Sequence, residues 1–503
     1  MLRPTCANRR RNHTKWSETT IPDDRLERAL AAYREGDAEQ AEAECRALLA
    51  RAPGCAPAHT LLGNLLKRRG RHKEAIAQHR EAVRLDSGSG AALADLASSL
   101  LAGGASDDAI LIFAELVRVN PGIAALHANL ATALMSHARF EEATEGFRRA
   151  LAIETCHLPA LCNLGVCLRL LGRPREAIEP LREALRVAPG HLEAEWNLAL
   201  ALLMAGQQEE GWARYEARRR LPGFAIEHPE GMAWDGRCSP EATLLVHAEQ
   251  GLGDTLQFLR YLPAAQRRVG RLVFECQAPL AGLLSGIAGV DQLLSRGVPR
   301  PPYDGHAPLM SLPFLLGCGV LSMPEGLTTI SPAGSRVARW RDRLACFGGR
   351  KIGIAWQGNP QYKADAQRSI PLRHFVSLAA LPGVCLVSLQ KHHGLEQLVD
   401  WPASLPLVNF AQELDTGTDA FLDTAALLMS LECVICSDSA LAHLAGACGI
   451  EVWLLLPAVP DWRWGLEGER SPWYPMMRMF RQRCSGDWDE LFSRLARALH
   501  AER

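Results

Sequence analysis

The sequence predicts a chain in two parts: an all-α repeat array, then an α/β module built on parallel sheet. Three observations carry that division. Glycine recurs at 34-residue steps from Gly36 to Gly206. After Thr243, short apolar runs alternate with helical segments, the pattern that parallel strands with crossover helices require. Between the two lies Glu249-Gln250-Gly251-Leu252-Gly253-Asp254-Thr255-Leu256-Gln257-Phe258, which follows the apolar run 243–248 and leads into a helical segment stopping at Pro263. A strand, a glycine turn and a helix N-terminus in that order present backbone N–H groups to an anion.

The bulk composition sets limits. At 503 residues the chain is too long for one core and suggests about three domains. Apolar residues make up 48% and charged residues 22%, with a formal net charge of −1, so no global field favours nucleic acid or a membrane surface. No apolar run reaches the roughly 18 residues of a membrane span, and the N-terminus lacks the apolar core of a secretory signal. The expectation is a cytoplasmic protein, with Arg9, Arg10, Arg11 and Lys15 in a disordered tail over 1–21. The 15 cysteines are scattered through apolar patterns. Cys433-x-x-Cys436 has motif spacing but sits in an apolar run, and it is expected to be structural because zinc needs a second ligand pair. No metal site is expected.

Taken in order, the first half is periodic throughout. Glycine marks Gly36, Gly70, Gly104, Gly172 and Gly206, and Ala138 fills the missing place. Pro53, Ser87, Pro121, Thr155 and Pro189 mark unit ends, and Ala41, Ala75, Ala109, Ala143, Ala177 and Gly211 mark the second helix. Small residues are needed where two helices cross closely, and units that cannot cover their own apolar faces stack into a superhelix. The period resembles the tetratricopeptide repeat, with Leu130-Ala131, Leu164-Gly165 and Leu198-Ala199 filling further consensus places. Six repeats fit 22–223. Asn129, Asn163 and Asn197 recur on first helices, with Asp95 one step earlier. In this repeat family that position faces the groove, where amides donate to and accept from an extended peptide backbone. The row resembles the asparagine ladder of protein O-GlcNAc transferases, which implies a protein acceptor; the alternative is local polar contact between stacked helices.

The stretch 224–240 is rich in Pro and Gly, has no helical period and reads as a linker. Candidate strands are 243–248, 271–276, 351–356, 384–389, 432–437 and 451–456. A charged helical segment over 333–349 interrupts the series. This predicts two Rossmann-like halves, 241–332 and 350–503, the second with a closing helix near 487–501. Two such halves facing a cleft describe the GT-B architecture.

The ordered motifs HAEQGLGDTLQFLRYLP, IGIAWQGNP, RSIPL, VSLQK and DSALAHLAGACG resemble glycosyltransferase family 9, the heptosyltransferase-like group. PDWRW and SPWYPMMRMFRQ are shared with its bacterial branch carrying tetratricopeptide repeats. The resemblance covers nearly the whole chain and implies metal-independent, inverting transfer from a nucleotide-sugar, with no cofactor.

It also implies roles for particular residues. The turn Asp438-Ser439-Ala440 and His443 one helical turn on are placed on the donor, Asp438 accepting from sugar or ribose hydroxyls and Ser439 contacting phosphate; relatives commonly carry Asp-Thr-Gly there. A bare helix N-cap is the alternative for the turn, and helix packing for His443. Arg368, and after it Lys363, would neutralise the leaving diphosphate, or else be solvated loop charges. Asp254 would be the general base that takes the acceptor hydroxyl's proton, or a helix cap. The Asp461-Trp462-Arg463-Trp464 and Trp473-Tyr474-Pro475 segments suit stacking on a sugar or base but equally a buried loop packed on the sheet, and they read as structural; His392 and His393 read as solvent-facing. The Asp438 turn suits phosphate better than the first glycine turn, which becomes the acceptor-side wall. The expected function is transfer of a sugar to an acceptor, a protein rather than a lipid, held by the repeats. The alternative is a catalytically inactive repeat scaffold; a GT-B sugar epimerase is a weaker third.

Overall fold

The computed structural model describes residues 24–222, 229–317, 330–361 and 365–501. The tail 1–21 lies outside them. The chain divides into two compact units, Met1–His157 and Leu158–Arg503.

The first unit is built of helical hairpins: α1 (Asp24–Glu35), α2 (Ala38–Arg51), α3 (Ala56–Arg68), α4 (His72–Leu85), α5 (Gly90–Ala102), α6 (Ser106–Val119), α7 (Ala124–Ser136) and α8 (Phe140–Ile153). The recurrent glycine closes each hairpin in the left-handed region, with φ of +86° at Gly36, +73° at Gly70 and +85° at Gly104. Ala138 adopts the same conformation at φ +58° despite its Cβ. The recurrent alanines are fully buried: Ala41, Ala75, Ala109 and Ala143 are each 0% exposed. Their methyl groups set the close crossing that the 34-residue pattern requires.

The second unit opens with two more pairs, α9 (Leu158–Leu170), α10 (Pro174–Val187), α11 (Leu192–Met204) and α12 (Gln208–Tyr215), then a 3₁₀ turn over Glu216–Arg220. Among the described residues ten strands follow: β1 (Ser239–His247), β2 (Val269–Cys276), β3 (Gln292–Ser295), β4 (Gly305–Pro308), β5 (Arg350–Ala355), β6 (Val384–Ser388), β7 (Leu407–Asn409), β8 (Cys433–Ser437), β9 (Val452–Leu456) and β10 (Met477–Arg481). The helices among them are α13 (Leu252–Phe258), α14 (Leu262–Gln266), α15 (Leu312–Leu316), α16 (Gly334–Ala345), α17 (Asp365–Arg368), α18 (Val376–Ala379), α19 (Leu422–Leu428), α20 (Ala440–Ala447) and α21 (Trp488–Ala501).

Among the described residues these strands pair only in parallel with one another, apart from a single antiparallel bridge from Arg470 to Arg478 of β10. One sheet runs β3-β2-β1-β4 and the other β10-β9-β8-β5-β6-β7. Counted within its own half, the second sheet has the 3-2-1-4-5-6 order of a doubly wound fold. Strands β6, β8 and β9 are buried along their whole length, as parallel strands covered on both faces must be. Six strands coincide with the apolar runs; β3, β4, β7 and β10 are additions. Three of these are only three or four residues long, and β10 alternates Met477 and Met479 with Arg478. The helix expected to stop at Pro263 breaks earlier. It ends at Phe258, and Pro263 sits in the first turn of α14, where a missing N–H costs nothing.

Cys433 and Cys436 are both buried but belong to separate cores of the second sheet. Three residues apart on a strand, they point to opposite faces, and neither helps the other hold an ion.

One large core joins both sheets to Ala199, Leu203, Trp212 and Tyr215 of the repeat helices. Trp212 meets Phe258 edge-on at 5.8 Å and Trp462 at 5.3 Å. The compact units therefore part at residue 157, inside the repeats, rather than in the stretch 224–240. Residues 224–228 of that stretch lie outside the described ones; beyond them, Trp234 donates its backbone N–H to His306 O at 2.9 Å. Helix α16 fills the connection between the halves, anchored by buried Trp340, whose indole donates to Asp423 at 3.1 Å.

Candidate functional site

In open α/β sheets ligands bind beyond the carboxyl ends of strands where the strand order reverses. The reversals here fall between β1 and β4 and between β5 and β8. The described segments at those ends of β1, β5 and β8 are 248–252, 356–361 with 365–369, and 438–440.

The β1 turn is braced from behind. Glu249 is 2% exposed and receives two hydrogen bonds from Arg218, Nε at 3.0 Å and Nη2 at 2.7 Å, plus the Met310 N–H at 3.0 Å. Arg218 is 0% exposed and also bonds Glu216 at 2.6 Å and Ser311 at 2.8 Å. Burial works against its charge, but Glu249 and Glu216 outweigh that and hold the guanidinium protonated. Gln250 then takes φ +58°, a left-handed conformation unusual for a residue with a Cβ. Gln277 Nε2 supports the turn through the Gln250 and Gly251 carbonyls at 3.3 and 3.4 Å.

Asp254 stands at the third position of α13. Its Oδ2 accepts the Gly251 N–H at 2.9 Å, one half of a capping box whose other half a glycine cannot supply. Its Oδ1 accepts from Arg463 Nη2 at 2.5 Å, and its side chain keeps 23% exposure. Capping and a solvent-accessible position therefore coexist. Arg463 reaches three acceptors: Asp254, Gln257 Oε1 at 2.8 Å and Asp461 at 2.9 Å, with its guanidinium 4.5 Å over Trp462. This arginine lies in the PDWRW segment read from the sequence as structural, and its bonds to Asp254 and Gln257 were not expected there.

The β8 turn leads into α20. Ser439 is the N-cap residue, and its hydroxyl makes no capping bond. Burial pushes the Asp438 carboxyl up to about 6; Asp461 adds repulsion, and Arg368 and Arg463 pull the other way. Ala440 lies against Gly253, where a Cβ would stand 3.1 Å from Ala440 Cα. Gly253 thus serves the close approach of α13 to α20, and the Ala440 methyl is accommodated by that glycine. His443 is buried, stacked on Trp464 at 5.3 Å, with Nδ1 3.1 Å from the Tyr474 hydroxyl. Burial, reinforced by Arg463, holds its imidazole neutral. Trp462, Trp464, Trp473 and Tyr474 are all buried, and Arg260 lies 4.7 Å over Tyr474.

The β5 loop carries Arg368. Its Nε donates to Asp365 at 3.1 Å, and Ser369 Oγ donates to the other Asp365 oxygen at 2.8 Å. A Cβ on Gly358 would fall 2.4 Å from Asp365 Oδ1, so only glycine lets the loop fold on this pair. Lys363 lies outside the described residues. Asp254, Arg463, Asp461, Asp438 and Arg368 form one charged cluster where α13 meets α20.

On the repeats, Asp95 in the first unit has its carboxyl pushed up by burial, against the pull of Lys67 and a hydrogen bond from Asn64. Asn129 is exposed. In the second unit Asn163 is half-buried, and Asn197 donates to Glu193 O of its own helix at 2.7 Å. His392 and His393 are exposed.

Comparison with known proteins agrees on the repeats. Residues 26–90 match the tetratricopeptide repeat model and residues 65–215 that of the coatomer epsilon subunit. Protein FlbA of Caulobacter vibrioides is 28% identical over 316 residues, 58% of this chain and 52% of its own length. The chain thus spans about half the length of that relative. Among solved structures, the Thermus thermophilus repeat protein TTC0263 is 23% identical, covering 33% of this chain and 92% of its own, at a TM-score of 0.31. YrrB, a repeat protein described as having an unusual peptide-binding site, is 21% identical, with 34% and 88% covered and a TM-score of 0.29. The chain carries tetratricopeptide repeats in its N-terminal part, followed by a parallel-sheet α/β region. Among the described residues no helix is long and apolar enough to cross a membrane.

Proposed function

We propose that the α/β region is a GT-B glycosyltransferase that moves a sugar from a nucleotide-sugar to a protein acceptor recruited by the repeats, in the cytoplasm. The observation that carries this reading is the Arg463 bridge. It ties the carboxylate of the β1 turn to Asp461, beside Asp438 on the β8 turn, so that an acid from each half shares one site. The donor diphosphate would lie at the N-terminus of α20, whose first N–H groups and dipole favour anions. Arg368, and after it Lys363, would take up the charge on the leaving nucleotide. Asp254 would accept the proton of the attacking hydroxyl, in a metal-independent and inverting transfer. Each of its oxygens already accepts one hydrogen bond, from Gly251 and from Arg463, so the acceptor hydroxyl would use a remaining lone pair.

The bonds Asp254 already makes favour a second reading, a repeat scaffold whose α/β half is inactive and whose Asp254 only caps α13. Transfer of radiolabelled sugar from a panel of nucleotide-sugars to a cell extract separates the two. Asp254→Asn should abolish transfer by the full chain while leaving donor binding intact. Unchanged turnover removes Asp254 as base, and no transfer from any donor supports the scaffold.

A further inference from the structure

Where α3 turns into α4, residues 67–73 read KRRGRHK, five cations and no acid. One repeat period earlier, residues 33–39 hold one arginine and three acids; one period later, residues 101–107 hold a single acid and no cation. Stacked repeats set successive turns side by side, so the basic turn lies between two turns of opposite sign.

Its charge is only partly compensated. Arg69 and Arg71 reach across to Glu42 of α2 at 2.5 and 2.8 Å, and Arg46 joins them there at 2.9 Å. Glu74 takes a further bond from Arg71 at 2.7 Å and stands 3.9 Å from Arg46. Lys67 donates to Ser98 of α5 at 3.0 Å and is set against Asp95. Arg68 lies 5.4 Å over the Tyr33 ring of α1, and among the described residues neither Arg68 nor Lys73 meets a carboxylate. Five cations, Arg46, Arg68, Arg69, Arg71 and Lys73, thus share two carboxylates, and three positive charges are left over. Glu42 is only 8% exposed and pins Arg69 and Arg71 in place, yet their side chains stay 33% and 37% exposed. A guanidinium carries five N–H donors, so both can still bind an anion from solvent.

We propose that this turn docks an acidic segment of the protein that the repeats recruit, its Asp and Glu side chains meeting Arg68, Arg69, Arg71 and Lys73. This rests on the recruiting role proposed above for the repeats and gives the recruited protein a charge. A nucleic acid or a membrane surface extends beyond one turn and would meet the acids of the flanking turns. A short acidic segment ends where the positive charge ends.

The test is fluorescence anisotropy of a labelled Glu/Ser peptide against the full chain, without any nucleotide-sugar. A Lys/Ser peptide is the control and a single-stranded oligonucleotide the competitor. The acidic peptide should bind saturably, and more weakly as salt rises. Arg68→Glu with Lys73→Glu orphans no carboxylate and should weaken binding by roughly tenfold or more. Arg51→Glu with Arg80→Glu, exposed cations of the same unit away from the turn, should leave it unchanged. If the charge reversals fail to fold, Arg68→Gln with Lys73→Gln gives the same comparison with a smaller loss. Absence of saturable peptide binding overturns the proposal. So does equal weakening by both variant pairs, or tighter binding of the oligonucleotide through the same residues. Saturable peptide binding by a chain that transfers no sugar would support this docking role while removing the transferase.

Discussion

At the scale of single residues, Ala138 shows how closely the repeat pattern dictates backbone. The glycines in register with it at Gly104 and Gly172 have φ of +85° and +70°, and Ala138 is forced to +58°. A Cβ in that region costs on the order of 1 kcal/mol. Ala138→Gly should therefore raise stability by about that amount less the entropy that glycine adds to the unfolded chain, roughly 0.5 kcal/mol net; urea unfolding measures it. The vacancy in the glycine series was legible in the sequence because the period is local.

Asp438 gives a second residue-scale expectation. Its carboxyl is pushed up to about 6 by burial and by Asp461, against an ordinary value near 3.9. A folded pKa above the unfolded one contributes stability that is fully present below about pH 4 and lost as pH rises through about 6. Asp438→Asn removes the charge that is costly at high pH. Melting curves should show it more stable than the parent at pH 8, with the gain fading toward pH 4. Equal shifts at both pH values would contradict this account.

Between elements, the controlling contacts join residues far apart in sequence, which is why they were illegible there. Asp254 and Arg463 are 209 positions apart, and Arg218 lies 31 before Glu249. Nothing in a linear pattern singles out Arg463 from the aromatics beside it, and the burial of Arg218 depends on the α/β core closing over the last repeat. The Gly-x-Gly turn was read correctly as a strand-to-helix junction, but the reason for Gly253, the approach of Ala440 from α20, requires the second helix to be seen. Strands β3 and β7 escaped because three or four residues carry no periodicity. The Arg218–Glu249 pair makes the element-scale prediction. Arg218→Met leaves Glu249 buried without its cation and should cost about 3–5 kcal/mol. Arg218→Met combined with Glu249→Leu should recover much of that loss. The two single variants and the double variant, compared by chemical denaturation, give the coupling directly, and strictly additive effects would contradict a coupled Arg218–Glu249 pair.

For the molecule as a whole, the division of labour differs from repeats tethered to a separate module by a linker. Trp212, Tyr215 and Arg218 at the end of the repeats are set into the core that carries both sheets. Whatever binds α9 to α12 is held in register with the β1 turn by packing rather than by a flexible tether. That arrangement suits a protein whose repeats present cargo to a fixed site. The most direct measurement of the central claim is calorimetric titration of the full chain with UDP-, GDP-, ADP- and CDP-linked sugars. The account predicts saturable one-to-one binding of at least one of them, retained by Asp254→Asn and lost or strongly weakened in Arg368→Ala. Absence of heat for every nucleotide-sugar, or binding indifferent to Arg368→Ala, would contradict it.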